Sequence, residues 1–139
     1  MLLKQSFTQI KLKRIDRRLT INKNIDLVLY NLSKSKFRNS FHLKQKDKDY
    51  VNEKGLDKIS EHAYDFINKR LKDVSKVNDG KQTPMKGHPV FIAFHATATC
   101  CRGCISKWHG IDKNKILDDD EIKYINDLVM TWIKKEINK

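Results

Sequence analysis

The chain has no long hydrophobic run. No apolar stretch approaches the roughly 18 residues that a membrane-spanning helix requires. The opening MLLKQSFTQIKLK lacks both an apolar segment of signal-peptide length and a small-residue cleavage site. A cytoplasmic protein is therefore expected. Cysteine is scarce: there are three in 139 residues, two of them adjacent. That set makes a poor disulfide framework and suits reduced thiols or thiolate ligands. Proline and glycine are scarce too, at two and five residues. No internal repeat is present. Acidic residues are the minority charge, 17 against 29 Lys/Arg, for a net charge of +12.

What is present is unevenly placed. Residues 1–48 carry 13 Lys/Arg against three Asp/Glu, whereas residues 49–139 are nearly balanced. The basicity thus belongs mainly to the N-terminal part. Such arms meet nucleic acid or other anionic surfaces, and they also simply solvate a surface. The scarce residues gather in one window, residues 84–111: PMKGHPVFIAFHATATCCRGCISKWHGI. It holds every cysteine and proline, three of the five histidines, three of the five glycines and Trp108.

Length and composition predict one domain, 39% hydrophobic and 33% charged. The division expected is a basic extension over residues 1–28 and a helical domain over 29–139. In the extension, KLKRIDRR is a basic run and INKNIDLVLYNL a weakly amphipathic segment. Phe37 and Phe41 lie four apart, a spacing that would anchor one helix face to the core, and aromatics among cations also stack on bases. Asp47 to Lys54 reads as a short helix stopped by Gly55. Leu56, Ile59, Ala63, Phe66, Ile67 and Leu71 repeat with helical period and predict a longer one. His62 beside that stripe reads as a partly buried, satisfied histidine. Asn78-Asp79-Gly80 marks a turn in a polar loop over 76–88.

Asp118 followed by Glu121 is a capping-box signature, and Ile122, Ile125, Val129, Trp132 and Ile133 give the last helix its apolar face. Capping accounts for Asp118, Asp119 and Asp120 without a metal. The segment VFIAFHATA fits either a helix opened by Pro89 or a strand. Helical neighbours favour the helix. The fold class expected is mainly α, the alternative being α+β with a short strand near 90–97.

Three chemistries compete for the window. Cys101 and Cys104 have C-x-x-C spacing, with His109 five residues on. With His95 they would give zinc an N₂S₂ set, Cys100 or His88 standing as substitutes. A second C-x-x-C is missing, and the spacing matches no standard zinc finger. Alternatively, Cys101 or Cys104 is a nucleophile, with His95 as base and Arg102 or a helix N-terminus lowering the thiol's pKa. In the third reading the cysteines merely pack beside Trp108. Lys81, Gln82, Lys86, Arg102, Lys107 and Trp108 are the candidate binding residues. The leading expectation is a nucleic-acid-associated domain with a His/Cys site, with DNA or RNA as partner. The rivals are a small thiol- or metal-dependent enzyme acting on an anionic substrate, and an interaction protein.

The blocks NDGKQTPMKGHPVF and HATATCCRGC, followed by KWHGI, resemble an uncharacterised bacterial family of unknown function. The likeness extends over SKFRNSFHL, EKGLDKISEHA and DEIKYINDLVMTWI, about residues 30 to 135. The family shows glutamine where this chain has Phe94. The resemblance implies a shared site and names no catalytic residue.

Overall fold

A computed structural model describes residues 25–73 and 82–139. The basic run KLKRIDRR, the Asn78-Asp79-Gly80 turn and Lys81 lie outside the described residues. Among the described residues six α-helices account for the fold and no strand occurs. They are α1 (residues 25–33), α2 (Gln45–Lys54), α3 (Leu56–Phe66), α4 (Pro89–Ala96), α5 (Arg102–His109) and α6 (Asp119–Ile137). A 3₁₀ turn, Arg38–Ser40, separates α1 from α2. The mainly α reading holds, and residues 89–96 are helix rather than strand.

The helix ends follow from local chemistry. Gly55, at φ +86°, closes α2 and opens α3 in a conformation that a side chain would strain. Asp118 caps α6: its carboxylate accepts from the Glu121 N–H at 2.8 Å, and Glu121 accepts from the Asp118 N–H at 3.0 Å. His88 caps α4 through Nδ1, which accepts from the Val90 N–H at 3.0 Å, and Pro89 occupies the first turn. Cys101 caps α5 with its sulfur, and Gly110, left-handed at φ +69°, ends it.

Packing follows the apolar stripes. Ile59, Ala63, Ile67 and Leu71 are fully buried, while Leu56 at the start of that stripe is exposed. The helix widens to π geometry over Ile67–Leu71. α6 lies against α3 and α4, burying Ile122, Ile125, Val129 and Ile133, with Trp132 half-buried. α4 is the central element: only Ile92 of its eight residues escapes burial. A smaller cluster joins Ile25, Leu29 and Leu32 of α1 to Ala98 and Leu128. The weakly amphipathic segment of the sequence thus docks on α6 from residue 25 onward. Phe37 and Phe41 are not on one helix. Phe37 is exposed, and the two rings meet edge-on across the 3₁₀ turn at 5.2 Å.

Candidate functional site: a cysteine cluster under an arginine

The turn between α4 and α5 positions the cysteines. Thr97 returns its hydroxyl to the Ala93 carbonyl at 2.7 Å, and its oxygen lies 2.9 Å from the Thr99 hydroxyl. The Thr99 N–H reaches the Phe94 carbonyl at 2.8 Å. Thr83 donates to the Cys100 carbonyl at 2.7 Å, tying the preceding loop to the turn. Between the threonines, Ala98 is left-handed at φ +56° and fully buried. An alanine there costs about 1–2 kcal/mol in backbone energy, and its methyl packs into the α1 cluster. The result is a rigid turn that delivers three sulfurs to one place.

The Sγ atoms of Cys100, Cys101 and Cys104 lie within 4.8 Å of one another. Cys101 accepts from the Cys104 N–H at 3.3 Å. Cys100 and Cys101 are buried, and Cys104 is partly exposed. Three sulfurs this close could hold one metal ion.

Arg38, from the 3₁₀ turn, closes the cluster. Its Nη1 donates to the His95 carbonyl at 2.8 Å and to Cys100 Sγ at 3.7 Å, and its Nη2 donates to Cys104 Sγ at 3.2 Å. The side chain is buried. A hydrogen bond from Cys104 lowers the Cys100 thiol to about 7; burial opposes this and Arg38 adds to it. The same bond, with burial behind it, pushes the Cys104 thiol up. Cys100 is therefore the more acidic thiol of the pair, with Cys104 donating to it.

Arg38 was not among the residues singled out from the sequence. A signal was available. Of 29 basic residues only six are arginine, and just three lie beyond residue 24. In a lysine-rich chain, arginine marks the positions that need its planar fork. Arg38 also lines a cleft of about 260 Å³ with Tyr30, Phe41, His42, Trp132 and Glu136.

The histidines do not join the sulfurs. His109 is engaged at both nitrogens: Nε2 faces the Thr97 carbonyl at 2.8 Å and Nδ1 the Tyr124 hydroxyl at 2.9 Å. Burial keeps its pKa low and raises Tyr124 to about 12. His95 Nε2 faces the Pro84 carbonyl at 3.1 Å, its ring stacks on Phe41, and burial lowers its pKa. His88 is elsewhere. Its Nε2 lies 3.1 Å from His62 Nδ1 among Tyr50, Phe66 and Phe91. Burial and His62 lower it to about 4. Of the N₂S₂ set expected from spacing, the structure brings together the two sulfurs and adds Cys100.

The candidate binding residues also separate. Arg102 is fully buried, and its guanidinium donates to four backbone carbonyls: Leu71 at 3.2 Å, Lys72 at 3.3 Å, Asp112 at 2.6 Å and Lys115 at 2.9 Å. It ties the end of the π segment that continues α3, where carbonyls lack intrahelical partners, to the loop before α6. Arg38, not Arg102, is the cation at the sulfurs. Gln82 is buried and accepts from the Arg102 N–H at 3.2 Å. Lys86, Lys107 and Trp108 are exposed.

No helix among the described residues is long and apolar enough to cross a membrane. No solved structure matches the chain. A family match runs over residues 26–134, most of the chain, and takes in the arginine, the turn and all three cysteines. The chain belongs to the family described as Domain of unknown function (DUF4186).

Proposed function

We propose that this domain is a thiol-dependent protein in which Cys100 is the reacting group. The observation that carries the reading is Arg38, a buried guanidinium donating to the sulfurs of both Cys100 and Cys104. A cysteine packed for structure alone has no use for a buried cation. Desolvating a guanidinium is costly, and a thiolate beside it offsets that cost. Cys104 supplies a second donor. Together they keep Cys100 ionised near neutral pH, where an ordinary thiol is mostly protonated. A reducing, cytoplasmic setting fits three free thiols.

Alkylation tests this. Full-length protein is treated with limiting iodoacetamide from pH 5.5 to 9.5, and the labelled cysteine is mapped by mass spectrometry. Cys100 is expected to react first, at a rate rising through about pH 7. Cysteine reactivity that rises only above pH 8.5, or selective labelling elsewhere, would overturn the reading.

The sulfur convergence also supports a metal reading. Cys100, Cys101 and Cys104 would supply three thiolates, and a bound ion would act as a Lewis acid there. Tetrahedral zinc needs a fourth ligand, and the nearby histidines are committed to carbonyls and a tyrosine. The donor set suits a three-coordinate, thiophilic ion better. Elemental analysis of protein purified without chelators decides this.

Nucleic-acid association is a separate proposal. It rests on the charge of residues 1–48 alone. Filter binding across a salt series tests it, with log K expected to fall by about 0.9 per phosphate neutralised for each log unit of salt. Removal of residues 1–24 is expected to flatten that slope. The deletion stops there because Ile25 is buried against the domain. Absence of binding at low salt would end the proposal.

A further inference from the structure

We infer that the cluster reduces a small hydroperoxide, with Cys100 attacking and Cys104 resolving it as a Cys100–Cys104 disulfide. The inference rests on the thiolate reading above and adds a substrate class and a second reacting residue. Two observations select the chemistry.

The first is burial. Cys100 is 8% exposed, beside a partly exposed Cys104. A large or charged electrophile meets a barrier there, and a small uncharged one, of which a hydroperoxide is among the smallest, is favoured. The second is the neighbouring thiol. The sulfurs of Cys104 and Cys100 lie within 4.8 Å, and Arg38 bridges them through separate nitrogens. A nucleophile for acyl transfer requires no second thiol in contact with it. A cysteine that becomes a sulfenic acid does, because the partner captures that acid before further oxidation.

The steps balance. The Cys100 thiolate attacks one peroxide oxygen. The O–O bond breaks and an S–O bond forms. The departing oxygen takes the proton that Cys104 holds toward Cys100 and leaves as water or an alcohol. Cys104, now a thiolate beside Arg38, attacks the Cys100 sulfur. The S–O bond breaks, hydroxide leaves and takes a proton from solvent, and the S–S bond forms. Two thiols are oxidised by two electrons and one peroxide is reduced. A low-molecular-weight thiol or dithiol returns the pair to its starting state by exchange.

Arg38 remains a donor throughout: to Cys100 before attack, to Cys104 before resolution. The rigid threonine-stitched turn limits how far the sulfurs must travel, since all three already lie within 4.8 Å.

The test uses full-length protein, fully reduced and treated with one equivalent of hydrogen peroxide. Wild type is expected to lose two thiols and the mass of two hydrogens, with the disulfide mapped to Cys100 and Cys104. Cys104→Ser and, as a second variant, Cys104→Ala are expected to accumulate a sulfenic acid on Cys100 that dimedone traps. Arg38→Lys is expected to slow peroxide consumption by about tenfold, as the forked donor is lost and the thiolate fraction falls. A disulfide joining another pair, or Cys100→Ser consuming peroxide at the wild-type rate, would overturn the inference. Peroxide without effect on a protein whose Cys100 still alkylates at neutral pH removes this inference and leaves the thiolate reading standing. A Cys100 inert to both reagents removes the two together.

Discussion

Two arginines are buried among the described residues, and they do opposite things. Arg102 gives four hydrogen bonds to backbone carbonyls of segments that must meet. Its partners are neutral dipoles fixed by the fold, so it works as a clamp. Arg38 gives one bond to a carbonyl and two to sulfurs that change charge. Its partners can ionise, so it favours the charged form of a thiol. Residue type and burial are nearly the same, and the acceptors decide the role.

Substitution separates the two. Arg102→Met leaves four buried or partly buried carbonyls at two junctions without this donor. A loss of about 3–5 kcal/mol in urea denaturation is expected, from several carbonyls left unsatisfied at about 1–3 kcal/mol for a fully buried one and less for those partly exposed. Cys100 alkylation in the surviving folded fraction is expected to stay near wild type. Arg38→Met removes one carbonyl bond and two weaker bonds to sulfur. About 1–3 kcal/mol is expected on the same measurement, together with a Cys100 pH–reactivity curve displaced upward from about 7. Equal stability losses with unchanged thiol reactivity in both variants would erase the distinction.

A smaller effect sharpens the contrast from a third position. Burial and His62 lower His88 to about 4 from 6.5. The folded state therefore binds fewer protons than the unfolded chain between those values. The contribution is full above pH 6.5 and is lost as pH falls through 4. His95 and His109, also lowered by burial, act in the same direction. The melting temperature is expected to fall as pH drops from 7 to 4. His88→Asn keeps an acceptor at the cap and is expected to make that fall shallower. An acid limb unchanged in the variant would place the sensitivity on the other two histidines.

The sequence made the helices legible because their signals are local. A carboxylate and a glutamate three apart fixed the start of α6, and a glycine fixed the boundary of α2 and α3. The run at 89–96 stayed ambiguous because it is apolar on every side, and its periodicity is erased by full burial. The place of the site was legible for another reason: scarce residues were concentrated there. Its composition was not. Chain proximity suggested Arg102 and His109 as companions of the cysteines, yet helix α5 carries both side chains toward other partners. The true companion is separated from Cys104 by 66 positions. Spacing rules see ligands on one turn and miss a residue that arrives by tertiary docking.

That separation has a kinetic consequence. In a refolding chain, α4 and α5 form from local contacts, whereas the Arg38 turn must close a long loop before it reaches the sulfurs. Until it docks, Cys100 lacks its cation. The thiol's pKa is thus a marker for one long-range step of folding, the docking of Arg38. Pulsed alkylation at several pH values during refolding would read it, as a labelling midpoint that drops toward about 7 once the arginine has arrived.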